Sequence, residues 1–90
     1  MENEKQVIRR IGYIILSTLS KRSSTDSVHA STINEILETT GNTLKRNTIY
    51  NNLKELIDLK LIDEGIMSGR EKTYYITNQG VDFMKGWMRR

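Results

Sequence analysis

Apolar residues recur three and four apart in four separate stretches of this chain, and β-forming residues gather between the third and the fourth. Ile8, Ile11, Ile15 and Leu19 make the first stripe, with Val7, Ile14 and Leu16 flanking it on both sides. Residues at that spacing share one face of a helix. Asn3, with Gln6 three positions on, stands in the capping-box arrangement, so a first helix is expected over about residues 4–20. Lys21 to Ser27 is polar and reads as a loop, and Val28 to Ala30 as a short strand. Thr32 and Glu35 form a second capping box ahead of Ile33, Ile36 and Leu37, which predicts a short helix over about 32–39. Gly41 and Asn42, both tolerant of left-handed backbone, supply a tight turn. Ile49, Leu53, Leu56 and Ile57 then set out a third helix over about 45–59, with Thr43 or Asn47 as its cap.

After that the pattern changes. Leu61 to Met67 reads as a strand, Ser68 and Gly69 as a turn, and Lys72 to Thr77, rich in Thr, Tyr and Ile, as the returning strand of a hairpin over about 61–77. Thr77 can cap a fourth helix over about 78–89 that carries Val81, Phe83, Met84, Trp87 and Met88. Two short helices joined by a tight turn and followed by a β-hairpin give the winged helix-turn-helix order. The expected fold class is therefore mainly α with a β-hairpin wing, an α+β fold, in one domain spanning residues 1–90.

The residues of the third helix and hairpin also resemble a known family. Thr48-Ile49-Tyr50-Asn51-Asn52-Leu53-Lys54-Glu55-Leu56, continuing to Leu61-Ile62, is similar to the third helix and following strand of PadR-like and MarR-like winged helix-turn-helix proteins. The stretch from Gly69 through Arg70, Lys72, Tyr74 and Tyr75 to Gly80 resembles their wing, second strand and the opening of the last helix. The resemblance covers roughly residues 31–80. It implies a DNA-binding protein, either a transcriptional regulator or a binder of plasmid or viral partition sites. Lys60 departs from it, standing where the family commonly ends its third helix with glycine. The sequence also reaches Arg90 without the long helical dimerisation domain of larger PadR-like proteins, so a dimer is expected to use the first helix, the fourth, or both.

Charge placement agrees with such a partner. Residues 45–54 hold Lys45, Arg46 and Lys54 and no acid, whereas 55–64 hold Glu55, Asp58, Asp63 and Glu64 against Lys60 alone. The segment from Ser68 onward is basic again, with Arg70, Lys72, Lys85, Arg89 and Arg90 against Glu71 and Asp82. Separated basic patches attract a polyanion to one side of a protein. If Ile49, Leu53 and Leu56 face the core, then Asn47, Asn51 and Lys54 face away from it, with Thr48 and Tyr50 on the flanks. The major groove admits one helix, and asparagine there can pair with adenine, while Lys45 and Arg46 can reach phosphate or guanine. Arg70 and Lys72 beside Gly69 suit a wing on the backbone or in the minor groove, and Thr32 suits a phosphate at a helix N-terminus. These ten residues are the expected DNA contacts. Val7, Ile11, Ile14, Leu16, Phe83, Met84, Trp87 and Met88 form the expected dimer interface, because the apolar arc of the first helix is wider than a small core needs.

Other chemistries lack their residues. The chain has no cysteine and one histidine, His29, so thiolate zinc sites and disulfides are excluded and no metal or cofactor is expected. No phosphate-binding glycine loop or nucleophile elbow is present, and no enzymatic activity is expected. The longest apolar run is Tyr13 to Leu16, too short for a membrane span. The expected partners are double-stranded DNA with an inverted-repeat site, a second copy of the chain, and a further protein if the role is partition. No membrane partner is expected, and the expected location is the cytoplasm, on nucleoid or plasmid. A winged-helix module that binds protein and has lost DNA binding is the alternative from another class; it would not need the basic face and tip.

Overall fold

The structure, a computed structural model, describes residues 8–88 and the side chains of 8–86. Its elements run α1 (Arg10–Lys21), β1 (Ser31–Thr32), α2 (Ile33–Thr39), α3 (Arg46–Asp58), β2 (Ile62–Glu64), β3 (Thr73–Ile76) and α4 (Asn78–Met88). The strands form one antiparallel sheet in the order β1-β3-β2, with Ser31 opposite Tyr74 and Ile62 opposite Ile76. No helix of the described residues is long and apolar enough to cross a membrane.

α1 begins later than its periodicity predicts. Arg9 is extended, at φ −73° and ψ 161°, so the helical ladder cannot start before Arg10. Ile8 is nonetheless buried and joins the core from extended chain. Asn3, Gln6 and Val7 lie outside the described residues. α1 packs on α2, α3, α4 and β3, so it is covered from several sides. Ile15, Leu16 and Leu19 from α1 meet Ile36 of α2, Ile49, Leu53 and Leu56 of α3, and Ile62, Tyr74 and Ile76 of the sheet in one core.

The first three helices end in the same way. Ser23, Gly41 and Lys60 each take positive φ, at 58°, 73° and 66°, one residue beyond the helix cap. The amide of the next residue in each case reaches back to the third-last helical carbonyl: Ser24 to Leu19 at 2.8 Å, Asn42 to Leu37 at 2.8 Å and Leu61 to Leu56 at 3.0 Å. The left-handed residue's own amide bonds the second-last carbonyl, Ser20, Glu38 and Ile57 respectively. This is the Schellman arrangement, which satisfies carbonyls a helix would otherwise leave bare. Lys60 therefore keeps the glycine-like exit that its side chain makes costly.

Two strand expectations are corrected. The first strand lies at Ser31–Thr32 rather than at Val28–Ala30, because the Asp26 carboxylate accepts from both the Val28 and His29 amides, at 3.0 and 2.9 Å, and gathers that segment into a turn. The second strand stops at Glu64, not Met67. Gly65 still donates to Thr73, but Ile66 then donates to Ser27 at 3.0 Å, so the chain leaves β3 for the α1–β1 loop. A Cβ on Gly65 would lie 2.5 Å from the Ala30 Cβ, so only glycine lets the loop cross there. Thr77 caps α4 as predicted, with its Oγ1 accepting from Gly80 at 3.0 Å. The α4 turn sits so close to the sheet that a Cβ on Gly80 would lie 2.1 Å from the Leu61 carbonyl.

Replacing Lys60 with glycine removes the left-handed penalty while leaving the two exit bonds in place. Lys60→Gly is expected to raise stability by roughly 0.5–1 kcal/mol, the left-handed cost less glycine's greater freedom in the unfolded chain. The urea midpoint should rise with unchanged slope. A lower midpoint would mean that the lysine side chain stabilises the exit by a contact of its own.

Candidate nucleic-acid interface

The candidate interface centres on α3, whose two faces differ sharply. Ile49, Leu53 and Leu56 are buried, and Asn52 is buried with them, donating to the Thr48 carbonyl at 2.8 Å. Burial of that stripe turns Arg46, Asn47, Asn51 and Lys54 out to solvent. Tyr50 is 43% exposed, and the Lys54 ammonium lies 5.6 Å from its ring centre, a cation–π contact that gives the lysine head a preferred place on the helix surface. Thr48 is half-buried at the edge of this face.

The start of α3 is cationic and has no side-chain cap. Lys45 occupies the cap position, and neither of the expected caps serves. Thr43 donates instead to the Thr40 carbonyl at 3.0 Å, and Asn47 lies inside the helix. The first turn carries no acid, so the positive end of the helix dipole adds to the charges of Lys45 and Arg46. Like charges gathered there favour an anionic ligand. Arg46 donates to the Oδ1 of Asn34 on α2, which fixes the guanidinium between the two helices. Asn34 was not singled out from the sequence; a lone asparagine on a polar helix face carries no periodic signal.

Thr32 is corrected. It is only 6% exposed, its hydroxyl accepts from the Glu35 amide at 3.1 Å, and the Glu35 carboxylate in turn accepts from the Thr32 amide at 2.9 Å. The capping box holds it inside the fold. The same Glu35 lies 3.6 Å from Arg22, whose guanidinium also donates to Ser31 at 2.8 Å and Thr39 at 3.0 Å. Ser31 in turn meets Ser24 at 2.5 Å, with both hydroxyls buried. Arg22 thus ties the end of α1 to β1 and both ends of α2, a role that its place in a polar loop conceals.

The wing tip is short. Ser68 and Glu71 exchange backbone bonds of 2.9 and 3.0 Å around Gly69 and Arg70, with Gly69 at φ 61°. Arg70 is exposed at the tip. Lys72 lies 3.6 Å from Glu64 across the hairpin, with both side chains exposed, so the pair is weak.

The expected dimer set divides. Leu16 is 0% exposed and Met84 6%, so both belong to the core of the single chain and not to an interface. Their burial follows from the many elements packed around α1. Ile11, Ile14 and Phe83 are half-buried, with Phe83 stacked on Tyr13 at 5.8 Å between ring centres. The side chains of Val7, Trp87 and Met88 lie outside the described set. Among the described residues the strongly exposed large apolar side chains are elsewhere, at Val28, Ile66 and Met67 beside the wing base. A groove of about 730 Å³ runs between α1 and the α2–α3 turn, from Arg10 past Ile14 to Lys21, and contains none of the expected DNA contacts.

No family model matches the chain. No curated protein matches it in sequence. Solved structures do match its fold. TubR from Bacillus megaterium pBM400 is 16% identical with a TM-score of 0.79, over 92% of this chain and 89% of that one. The DNA-binding TubR fragment from Clostridium botulinum is 25% identical with a TM-score of 0.71, over 90% of this chain and 98% of that one. A PadR family transcription regulator from hypervirulent Clostridium difficile R20291 is 25% identical with a TM-score of 0.73, over 90% and 85%. The chain has the winged helix-turn-helix fold of these proteins, which the motifs of its third helix and wing implied.

Proposed function

We propose that the chain is a sequence-specific double-stranded DNA-binding protein that places α3 in the major groove and its wing on the flanking backbone or minor groove. The observation that carries this is the outward row of Asn47, Asn51 and Lys54, which continues from an uncapped basic helix start and lies on the helix before a wing whose tip exposes Arg70. The asparagines read base edges, Lys45 and Arg46 engage phosphate, and Arg70 anchors the wing. The likeness to a DNA-binding TubR fragment and to a PadR family transcription regulator supports the same reading. Two roles use this interface equally well: operator binding by a transcriptional regulator, and binding to a plasmid or viral partition site. A motor-ATPase gene beside this one would assign the second role, and a transporter or metabolic gene the first.

The chain acts as a homodimer in this proposal, through Ile11 and Ile14 of α1 and Phe83 of α4. Two-fold symmetry would set two recognition helices about 34 Å apart, one turn of DNA, on an inverted repeat.

Binding is expected to be strongly electrostatic. A dimer that neutralises roughly 6–10 phosphates should lose about 10³- to 10⁵-fold in affinity between about 50 and 200 mM salt. Fluorescence anisotropy on duplex fragments measures this, and affinity that stays flat over that range would remove the proposal.

Reading and anchoring are expected to separate. Asn51→Ala should cost about 1–3 kcal/mol on the preferred site and relax the preference at one base pair. Arg70→Ala should weaken preferred and random duplexes alike if the arginine rests on phosphate, and in proportion to groove width if it enters the minor groove. An unchanged preferred-to-random ratio for Asn51→Ala would show that α3 does not read sequence.

Ile14→Glu is expected to convert the dimer to folded monomer in sedimentation equilibrium, because the side chain is only half-buried in the single chain. A wild-type chain that sediments as a 10.5 kDa monomer at micromolar concentration and binds one copy per site would dispose of both the dimer and the inverted repeat.

A further inference from the structure

A groove of about 240 Å³ separates the recognition helix from the wing, lined by Ile33, Arg46, Tyr50, Glu71, Lys72 and Tyr74. Its cations come from different elements, Arg46 from α3 and Lys72 from the wing, and its one acid is Glu71. We propose that this groove seats a single DNA backbone phosphate shared by Arg46 and Lys72, and that Glu71 is an opposing charge which lowers affinity for any duplex whose phosphate occupies the groove. The inference rests on the DNA-binding reading above and specifies how its interface closes.

Geometry places a backbone there. With α3 in the major groove and the wing at the minor groove, the strand that divides the two grooves must pass between them. Both cations can serve it. Arg46 donates to the neutral Asn34 side chain, which leaves further N–H donors in its planar fork. Lys72 pairs with Glu64 only at the surface, so its ammonium can exchange that partner for phosphate at little cost. A phosphodiester offers two unesterified oxygens, one for a guanidinium and one for an ammonium. Beneath them, Ile33 is half-buried and Tyr74 buried, so the groove is backed by packed side chains. Burial, with the Glu64 charge and Tyr50 behind it, pushes the Tyr74 phenol above its ordinary value, so no phenolate competes with the phosphate.

Glu71 opposes this occupant. Its backbone is pinned by both bonds to Ser68, which keeps the residue beside the groove. A carboxylate beside a seated phosphate penalises every duplex that fills the groove, so Glu71 limits how tightly DNA is held.

The test uses the full chain and duplexes carrying one neutral methylphosphonate at each position of the preferred site in turn. One position at the border between the grooves in each half-site should cost the wild type roughly tenfold, the value of a charge-assisted contact in a wet interface. In the Arg46→Ala, Lys72→Ala double variant the same substitution should cost nothing further. The two single variants should be non-additive, because they share one partner. Glu71→Gln should bind the preferred duplex about two- to fivefold more tightly, and the methylphosphonate at the border position should cancel that gain. That gain cannot come from misfolding. Wild-type binding without a methylphosphonate position silenced in the double variant overturns the phosphate seat, and Glu71→Gln binding no tighter overturns the opposing charge; either result leaves DNA binding standing. Absence of any duplex binding at low salt removes the DNA reading itself.

Discussion

Everything in this fold depends on three abrupt helix endings, turned by left-handed backbone at Ser23, at Gly41 with Asn42, and at Lys60. Ser23 swings the chain so that the Ser24 carbonyl receives the Ile76 amide at 2.9 Å and its hydroxyl meets Ser31. Gly41 and Asn42 reverse the chain between α2 and α3. Lys60 delivers Leu61 to the sheet and presents its own carbonyl to Thr77 at 2.8 Å, while the Leu61 carbonyl takes the Thr77 amide at 3.0 Å. A longer route at any of the three would separate elements that share one core. Ser23 and Lys60 carry side chains that this conformation disfavours by roughly 1–2 kcal/mol each, so the packing that follows must outweigh that strain.

The endings also explain why the candidate interface has a definite shape. α3 is held between α1 and the sheet by Ile49, Leu53 and Leu56, which fixes its rotation and hence the direction of Asn47 and Asn51. α2 is held by the Arg22 network at Ser31, Glu35 and Thr39. Because Asn34 rides on α2, the guanidinium of Arg46 is positioned by a helix that is itself anchored to the end of α1.

Much of this was legible in the residues. The Thr32–Glu35 box, the Gly41–Asn42 turn, the Thr77 cap and the stripe of α3 are local signals, written in residue type over three to four positions, and the structure realises each of them. Signals that depend on what lies opposite were not legible. Periodicity showed a wide apolar arc on α1 but not how much of it a single chain covers, so Leu16 was assigned to an interface although several elements enclose it. The strand after α3 reads too long because Ile66 and Met67 prolong its apolar character; a crossing loop takes the Ile66 amide, and only the contacts at Gly65 reveal it. Thr43 and Asn47 look like caps by identity, yet the helix starts on Lys45. Fixing a cation at the positive end of a helix costs local stability, and such a local cost is common where a surface serves binding more than folding.

The three-stranded sheet has a consequence for life at high density. Its central strand is β3, and its two borders are β1, of two residues, and β2, of three. A border that short presents too few unpaired amides and carbonyls to template a strand from another molecule. Proteins that crowd onto one polymer stand side by side at local concentrations far above those in dilute solution, where any extended bare margin invites runaway fibre growth. Here both borders are blunted by brevity, so the sheet offers another molecule little to pair with.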